Sequence, residues 1–184
     1  MSHSYFMTET LILAKNAEKH ADVPVGAVIV KNGEIIAKGQ NRREEHKNSL
    51  AHAEIEAIDG ACKVLGNKYL TGCTLYVTLE PCPMCAGAIL NARLGCVYYA
   101  LKDANAGAMG SVLNLNSYPL LYKVRVEKGE CEEESRNLLS AFLKTRIPIK
   151  NVPNENPRQT KFSLRFKSGL IAFAVGIIIF LKYS

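Results

Sequence analysis

Two short segments of this sequence carry side chains of the types that bind metal ions. They run from His52 to Glu54 (His-Ala-Glu) and from Pro81 to Cys85 (Pro-Cys-Pro-Met-Cys). One imidazole and two thiolates fill three corners of a zinc tetrahedron and leave the fourth for water, as in catalytic rather than structural sites. Glu54 stands beside this set without being needed in it, as a proton carrier would. The segments therefore predict a catalytic zinc site with His52, Cys82 and Cys85 as ligands and Glu54 as the proton shuttle.

The spacing within each segment predicts where the side chains lie. Cys82 and Cys85 are three residues apart, so they face the same side of a helical turn. Pro83 suits the first turn of a helix, where its missing N–H has no partner, and the positive end of that helix favours thiolates. His52 and Glu54 are two apart and cannot share one face in mid-helix, which places them at the start of a helix. Two helix N-termini are thus expected to meet at the metal.

The rest of the sequence predicts the elements that position this site. Asn32 and Gly33 separate two β-rich runs, which is a strong hairpin signal. Strands that alternate with helices further along require crossovers and a sheet covered on both faces. We therefore expect an α/β protein, a three-layer α/β/α sandwich around a mixed five-stranded sheet. The predicted strands cover residues 25–30, 34–38, 74–79, 96–101 and 124–127, the helices 6–20, 53–65, 82–92 and 132–145, and a polar loop 41–50.

Length and charge predict one catalytic domain with an appendage. The chain has 184 residues and a net charge of +6. Residues 1–143 hold 15 Lys/Arg against 16 Asp/Glu, whereas residues 144–184 hold 8 against 1. Any polyanion must therefore bind through local patches or the tail. We expect a zinc-dependent catalytic domain at 1–147, a linker with three prolines at 148–161, and an apolar helix of uncertain role at 162–184.

The apolar run at residues 170–181 leaves three interpretations open. As a helix it would span about 18 Å, short of the roughly 30 Å of a bilayer's hydrocarbon core. It could be a marginal tail anchor, an interfacial or partner-packing helix, or an extension without a role in activity; the basic residues before it favour membrane association.

Six cysteines without an N-terminal signal sequence indicate a reducing cytoplasm.

The order of the two metal-binding segments is the signature of zinc nucleobase deaminases. Over roughly residues 5–147 the chain resembles the bacterial tRNA-specific adenosine deaminases, which convert the wobble adenosine of an anticodon to inosine. The matching stretches are Asp22–Val28, Gly39–Arg42, Ala51–Ile55, Thr74–Ala88 and Lys102–Ser111. The segments Asn48–Leu50 and Leu121–Tyr122 depart from the residues that the family usually has there.

The resemblance implies a cytidine-deaminase-like fold, one zinc per subunit, and a homodimer whose interface helps to form a tRNA groove. It also implies substrate contacts. Asn41 is similar to a residue that contacts the flipped nucleotide, the Ala53 backbone to part of the base pocket, and Asp103 to a loop that borders the anticodon nucleotides. Arg42, beside Asn41, could bind phosphate.

Other functions remain open from the sequence. A deaminase of free guanine, cytosine or a nucleoside could use the same zinc ligands. The match at 102–111 and at Asn41 and Arg42 favours the tRNA branch. A non-catalytic zinc module or a membrane-tethered scaffold subunit is a third alternative, against which the intact Glu54 and the open fourth ligand position argue.

Overall fold

The computed structural model describes residues 2–146, which form five strands and five α-helices. The fold confirms the predicted α/β class with its mixed five-stranded sheet. The helices are α1 (His3–Lys19), α2 (Arg43–His46), α3 (Ala53–Leu65), α4 (Pro83–Asn91) and α5 (Glu132–Arg146). The strands are β1 (Gly26–Lys31), β2 (Glu34–Gln40), β3 (Thr74–Leu79), β4 (Cys96–Leu101) and β5 (Arg125–Lys128), and a short 3-10 helix covers Leu115–Ser117.

The sheet has the order β2-β1-β3-β4-β5. Strand β1 pairs antiparallel with both β2 and β3, and β3, β4 and β5 run parallel. The Asn32-Gly33 hairpin joins β1 to β2, with positive φ at both residues as this turn requires. Because β3 and β4 are parallel, the residues that follow them emerge at the same edge of the sheet, where α/β proteins commonly bind ligands.

Alternating side chains of the sheet build a core on each face, which gives the three layers. Phe6 and Met7 of α1 pack with Val28, Val30 and Tyr76 on one face. On the other face, helices α3 and α4 bury their apolar side chains against the intervening residues of the same strands. The period-two alternation assigns each strand residue to one layer.

Helix α3 lies unusually close to strand β2 at its first turn. A Cβ atom on Gly39 would lie 2.1 Å from the carbonyl oxygen of Ala53 and 2.7 Å from the backbone nitrogen of Ala57. Only glycine permits this approach, so Gly39 fixes where α3 begins. The start of α3 carries His52 and Glu54, and the strand therefore positions part of the predicted metal site.

A short helix, α2, interrupts the segment that the sequence predicts to be a polar loop. The buried carboxylate of Asp22 accepts hydrogen bonds from the backbone nitrogens of Glu44 (3.1 Å) and Glu45 (3.4 Å). These bonds satisfy N–H groups at the start of α2, as a capping residue would. The cap comes from a residue distant in the sequence, which explains why the local pattern indicates only a loop.

The predicted linker at 148–161 and the apolar segment at 162–184 lie outside the described residues. Within residues 2–146, no helix has the length and apolar character needed to cross a membrane.

Candidate active site

The starts of α3 and α4 bring three metal-binding side chains together. His52 and Cys82 each occupy the N-cap position of a helix, yet neither side chain caps its own helix. The Nδ1 atom of His52 lies 3.8 Å from the sulfur of Cys82 and 3.5 Å from the sulfur of Cys85. The ligand atoms of this cluster lie within 4.8 Å of one another, and it is the one such group within residues 2–146.

These separations fit a tetrahedral zinc ion. Bonds of about 2.3 Å to sulfur and about 2.05 Å to nitrogen, at the tetrahedral angle, place the two atoms about 3.6 Å apart. The observed sulfur-to-nitrogen distances of 3.5 and 3.8 Å bracket that value. The donor set of one imidazole and two sulfurs is also one that zinc prefers.

Hydrogen bonding within the cluster shifts the pKa values of its three side chains. The pKa of Cys82 is lowered to about 4, chiefly because Cys85 donates a hydrogen bond to its sulfur. The pKa of Cys85 is raised, because it keeps that proton and is buried. The pKa of His52 is raised mainly by its hydrogen bond with Cys82. A bound cation would displace these protons, since ligating thiolates and imidazole must be deprotonated.

Glu54 lies in the first turn of α3 beside this cluster and is 4% exposed. Burial raises its pKa to about 6, because a carboxylate is poorly solvated away from water. A carboxyl group with a pKa near the working pH can both accept and return a proton. This environment suits the shuttle role that the sequence predicts for Glu54.

A cavity of about 160 Å³ opens beside the cluster. The metal-binding side chains of His52 and Cys82, together with Glu54, form one part of its wall. The rest of the wall combines apolar and polar side chains, namely Val23, Val25, Leu79, Ala106, Asn41, Arg43, Glu80 and Asp103. An apolar slot with a few polar groups suits a planar base that must be both enclosed and oriented.

Asn41 lines the cavity, as expected of a substrate-binding residue, but it also holds the backbone in place. Its Oδ1 accepts a hydrogen bond of 3.0 Å from the backbone nitrogen of Ala53, and Asn41 is buried. This bond anchors the start of α3. The Ala53 nitrogen is therefore occupied by Asn41, and Ala53 itself is not among the residues that line the cavity.

The other two predicted substrate contacts have different surroundings. Asp103 lines the cavity, and its Oδ1 accepts hydrogen bonds from the backbone nitrogens of Asn105 and Ala106, which stabilise a turn. Arg42 lies outside the lining set and pairs with Glu45 at 2.8 Å and Glu56 at 3.4 Å. Its neighbour Arg43 lines the cavity instead.

For Glu80 the sequence leaves two interpretations open, a partner of the metal site or simply a charge at the end of a strand. Its side chain is fully buried at the end of β3 and accepts hydrogen bonds from the loop that follows β4. The only sequence signal is its position, a charged residue between an apolar strand and a predicted metal ligand.

Comparison with known proteins places this chain in a family. The sequence matches the MafB19-like deaminase family over residues 1–146. It is 45% identical to the tRNA-specific adenosine deaminase of Bacillus subtilis strain 168 over 82% of this chain and 94% of that protein.

Solved structures show the same relationship. A tRNA A34 deaminase studied for A-to-I editing at the wobble position has 42% identity and a TM-score of 0.72, over 74% of this chain and 99% of that one. A guanine deaminase from Bacillus subtilis has 36% identity and a TM-score of 0.55, over 82% of this chain and 98% of that one. The predicted cytidine-deaminase-like fold is thus confirmed, and the chain belongs both to the MafB19-like deaminase family and to the family of tRNA-specific adenosine deaminases.

Proposed function

We propose that this protein is a zinc-dependent hydrolase that deaminates adenosine to inosine at the wobble position of a tRNA anticodon. The observation that carries the proposal is the buried Glu54 beside the His52, Cys82 and Cys85 cluster, inside a cavity of about 160 Å³. The similarity to a tRNA-specific adenosine deaminase and to a tRNA A34 deaminase structure supports the same substrate.

His52, Cys82 and Cys85 would hold one zinc ion per subunit. When bound, zinc supplies Lewis-acid activation of water. Glu54 accepts a proton from the attacking water and delivers one to the amino nitrogen that leaves C6 of the adenine ring. The net reaction adds water and releases ammonia. Because one carboxyl group serves both transfers, its pKa near 6 keeps both of its protonation states accessible.

The depth of the site supports a substrate that is unstacked before it reacts. Glu54 is 4% exposed, so a base stacked in a duplex cannot reach it. Nucleobase deaminases act on single-stranded or extruded nucleotides, and anticodon loops supply such bases. Asn41, Arg43 and Asp103 at the cavity wall would contact the nucleotide, and Arg42 and the Ala53 backbone would support this wall from behind.

Deamination of a free base is the second candidate, because a guanine deaminase shares 36% identity with this chain. One experiment separates the two. Purified protein is incubated with anticodon stem-loops and, separately, with free guanine and cytosine, and inosine and ammonia are measured. Inosine in the stem-loop supports the proposal, whereas ammonia from a free base with no inosine in any stem-loop supports the alternative.

We also propose a cytoplasmic homodimer. The apolar side chains of Val112, Leu113, Tyr118, Leu120 and Leu121 are all more than a third exposed, and a second copy could cover them. All six cysteines are free thiols, which suits a reducing compartment. Light scattering on the purified protein should give twice the mass of one chain, and a monomeric mass would exclude the dimer.

A further inference from the structure

Glu80 is a buried charged residue that the mechanism above does not use. It follows β3 directly and lies two positions before the ligand Cys82. Its side chain is 2% exposed. A buried carboxylate is unfavourable unless hydrogen bonds replace its lost water, so its partners indicate what it does.

All the hydrogen-bond partners found for the Glu80 carboxylate come from one loop, Asp103–Ser111. Oε1 accepts from the backbone nitrogens of Met109 and Ser111, both at 3.0 Å. Oε2 accepts from the backbone nitrogen of Asp103 at 3.2 Å and from the hydroxyl of Ser111. Both oxygens are thus occupied, and both ends of the loop are tied to one side chain.

The loop is also shaped around this carboxylate. A Cβ atom on Gly107 would lie 2.5 Å from Oε2 of Glu80 and 2.6 Å from the carbonyl oxygen of Asp103. Any larger residue at position 107 would push the loop away from Glu80. Gly107 and Ser111 therefore complete a cradle that fits a carboxylate at position 80.

The same loop forms one wall of the cavity, through Asp103 and Ala106. We propose that Glu80 is a positioning residue that locks the Asp103–Ser111 loop against the nucleotide and so sets the affinity for the RNA substrate. This inference rests on the proposed function for its substrate, while the lock itself rests on the contacts of Glu80. Proton transfer by Glu54 does not depend on it.

The lock requires glutamate in particular. Glutamine has only one acceptor oxygen. Its NH2 group would therefore face loop donors whose hydrogen bonds the second carboxylate oxygen of Glu80 now accepts. Loss of hydrogen bonds to a charged acceptor predicts a rise in KM of roughly 10- to 100-fold for Glu80→Gln. The change in kcat at saturation should stay within about threefold, because Glu54 and the zinc ligands are unchanged.

The test measures KM and kcat on an anticodon stem-loop, zinc content, and backbone hydrogen exchange for wild type, Glu80→Gln, Ser111→Ala and the control Glu34→Gln. Glu34 is an exposed residue of the β1–β2 hairpin. In Glu80→Gln and Ser111→Ala, the amides of the loop should exchange faster, namely those of Asp103, Met109 and Ser111, and KM should rise. The rise in KM for Ser111→Ala should be about 3- to 10-fold, because this variant removes one donor. The control should match the wild type.

A role of Glu80 in folding alone would lower kcat and zinc content and leave KM unchanged. That pattern in Glu80→Gln would overturn the proposal. Unchanged exchange of the three amides in Glu80→Gln would overturn it as well. If Glu80→Gln does not fold, Ser111→Ala decides through the same two measurements. If the wild type does not act on any stem-loop, the proposed function fails, and hydrogen exchange still decides whether Glu80 holds the loop.

Discussion

The substitution Gly39→Ala should disable the metal site, although Gly39 is not part of that site. The Cβ atom of Gly39→Ala would lie 2.1 Å from the carbonyl oxygen of Ala53, whereas ordinary contact begins near 3.4 Å. The first turn of α3 must therefore move by about 1 Å away from β2. That turn carries Glu54 and follows directly from His52, so the shift separates both residues from Cys82 and Cys85.

The expected effect is large for activity and moderate for stability. A displacement of about 1 Å in catalytic groups can lower turnover by about 100-fold. Overpacking typically destabilises a fold by about 1–3 kcal/mol, which lowers Tm by several degrees in a domain of this size. Zinc content, turnover on an anticodon stem-loop and thermal unfolding should be measured on the same preparation, and all three should fall, turnover most.

Gly60→Ala provides a matched control on the same helix and against the same strand. Its Cβ would meet only the Cβ of Ala37, at 3.3 Å, which a small adjustment relieves. Alanine also favours a helix by up to about 1 kcal/mol over glycine. Turnover and zinc content should therefore remain near wild type. Wild-type turnover and zinc content in Gly39→Ala would refute the claim that this close approach positions the site.

Three further predictions concern the metal, the RNA and the tail. Zinc occupancy at limiting zinc should fall as the pH is lowered from 8 to about 5, because the raised pKa values of His52 and Cys85 let protons compete with the metal; occupancy that is constant over this range would contradict the ligand assignment. Turnover on a stem-loop at subsaturating RNA should decrease with added salt as phosphate contacts are screened, while a salt-independent rate would exclude a role for phosphate binding. Truncation after Arg158 should leave zinc content and turnover on a stem-loop about equal to those of the full chain, because every residue of the site lies within residues 2–146; loss of either would show that the tail belongs to the catalytic unit.

The parts of the structure that follow from short-range patterns could be predicted from the sequence. The apolar runs that form β3 and β4 gave those strands their observed bounds, and the Asn32-Gly33 pair gave the hairpin. The metal cluster could also be predicted, because its side chains lie at helix starts that Pro83 and the spacing of Cys82 and Cys85 indicate. In each of these, the deciding residues are neighbours in the sequence.

Features that depend on distant contacts could not be predicted. Helix α2 depends on Asp22, which caps it from the connection between α1 and β1. Which of two adjacent arginines lines the cavity depends on Glu45 and Glu56, which pair with Arg42. The role of Glu80 depends on donors more than twenty positions later in the chain. No periodicity or spacing encodes these pairings.

The most direct test of the central claim is Glu54→Ala, measured for zinc content and for turnover on an anticodon stem-loop. Asp59→Ala, an exposed residue on the same helix, is the control and should behave as wild type. Glu54 is not a ligand, so the variant should keep one zinc per chain, while turnover falls by about 100-fold or more because both proton transfers use this group. Turnover within a few-fold of wild type, with zinc retained, would contradict the mechanism.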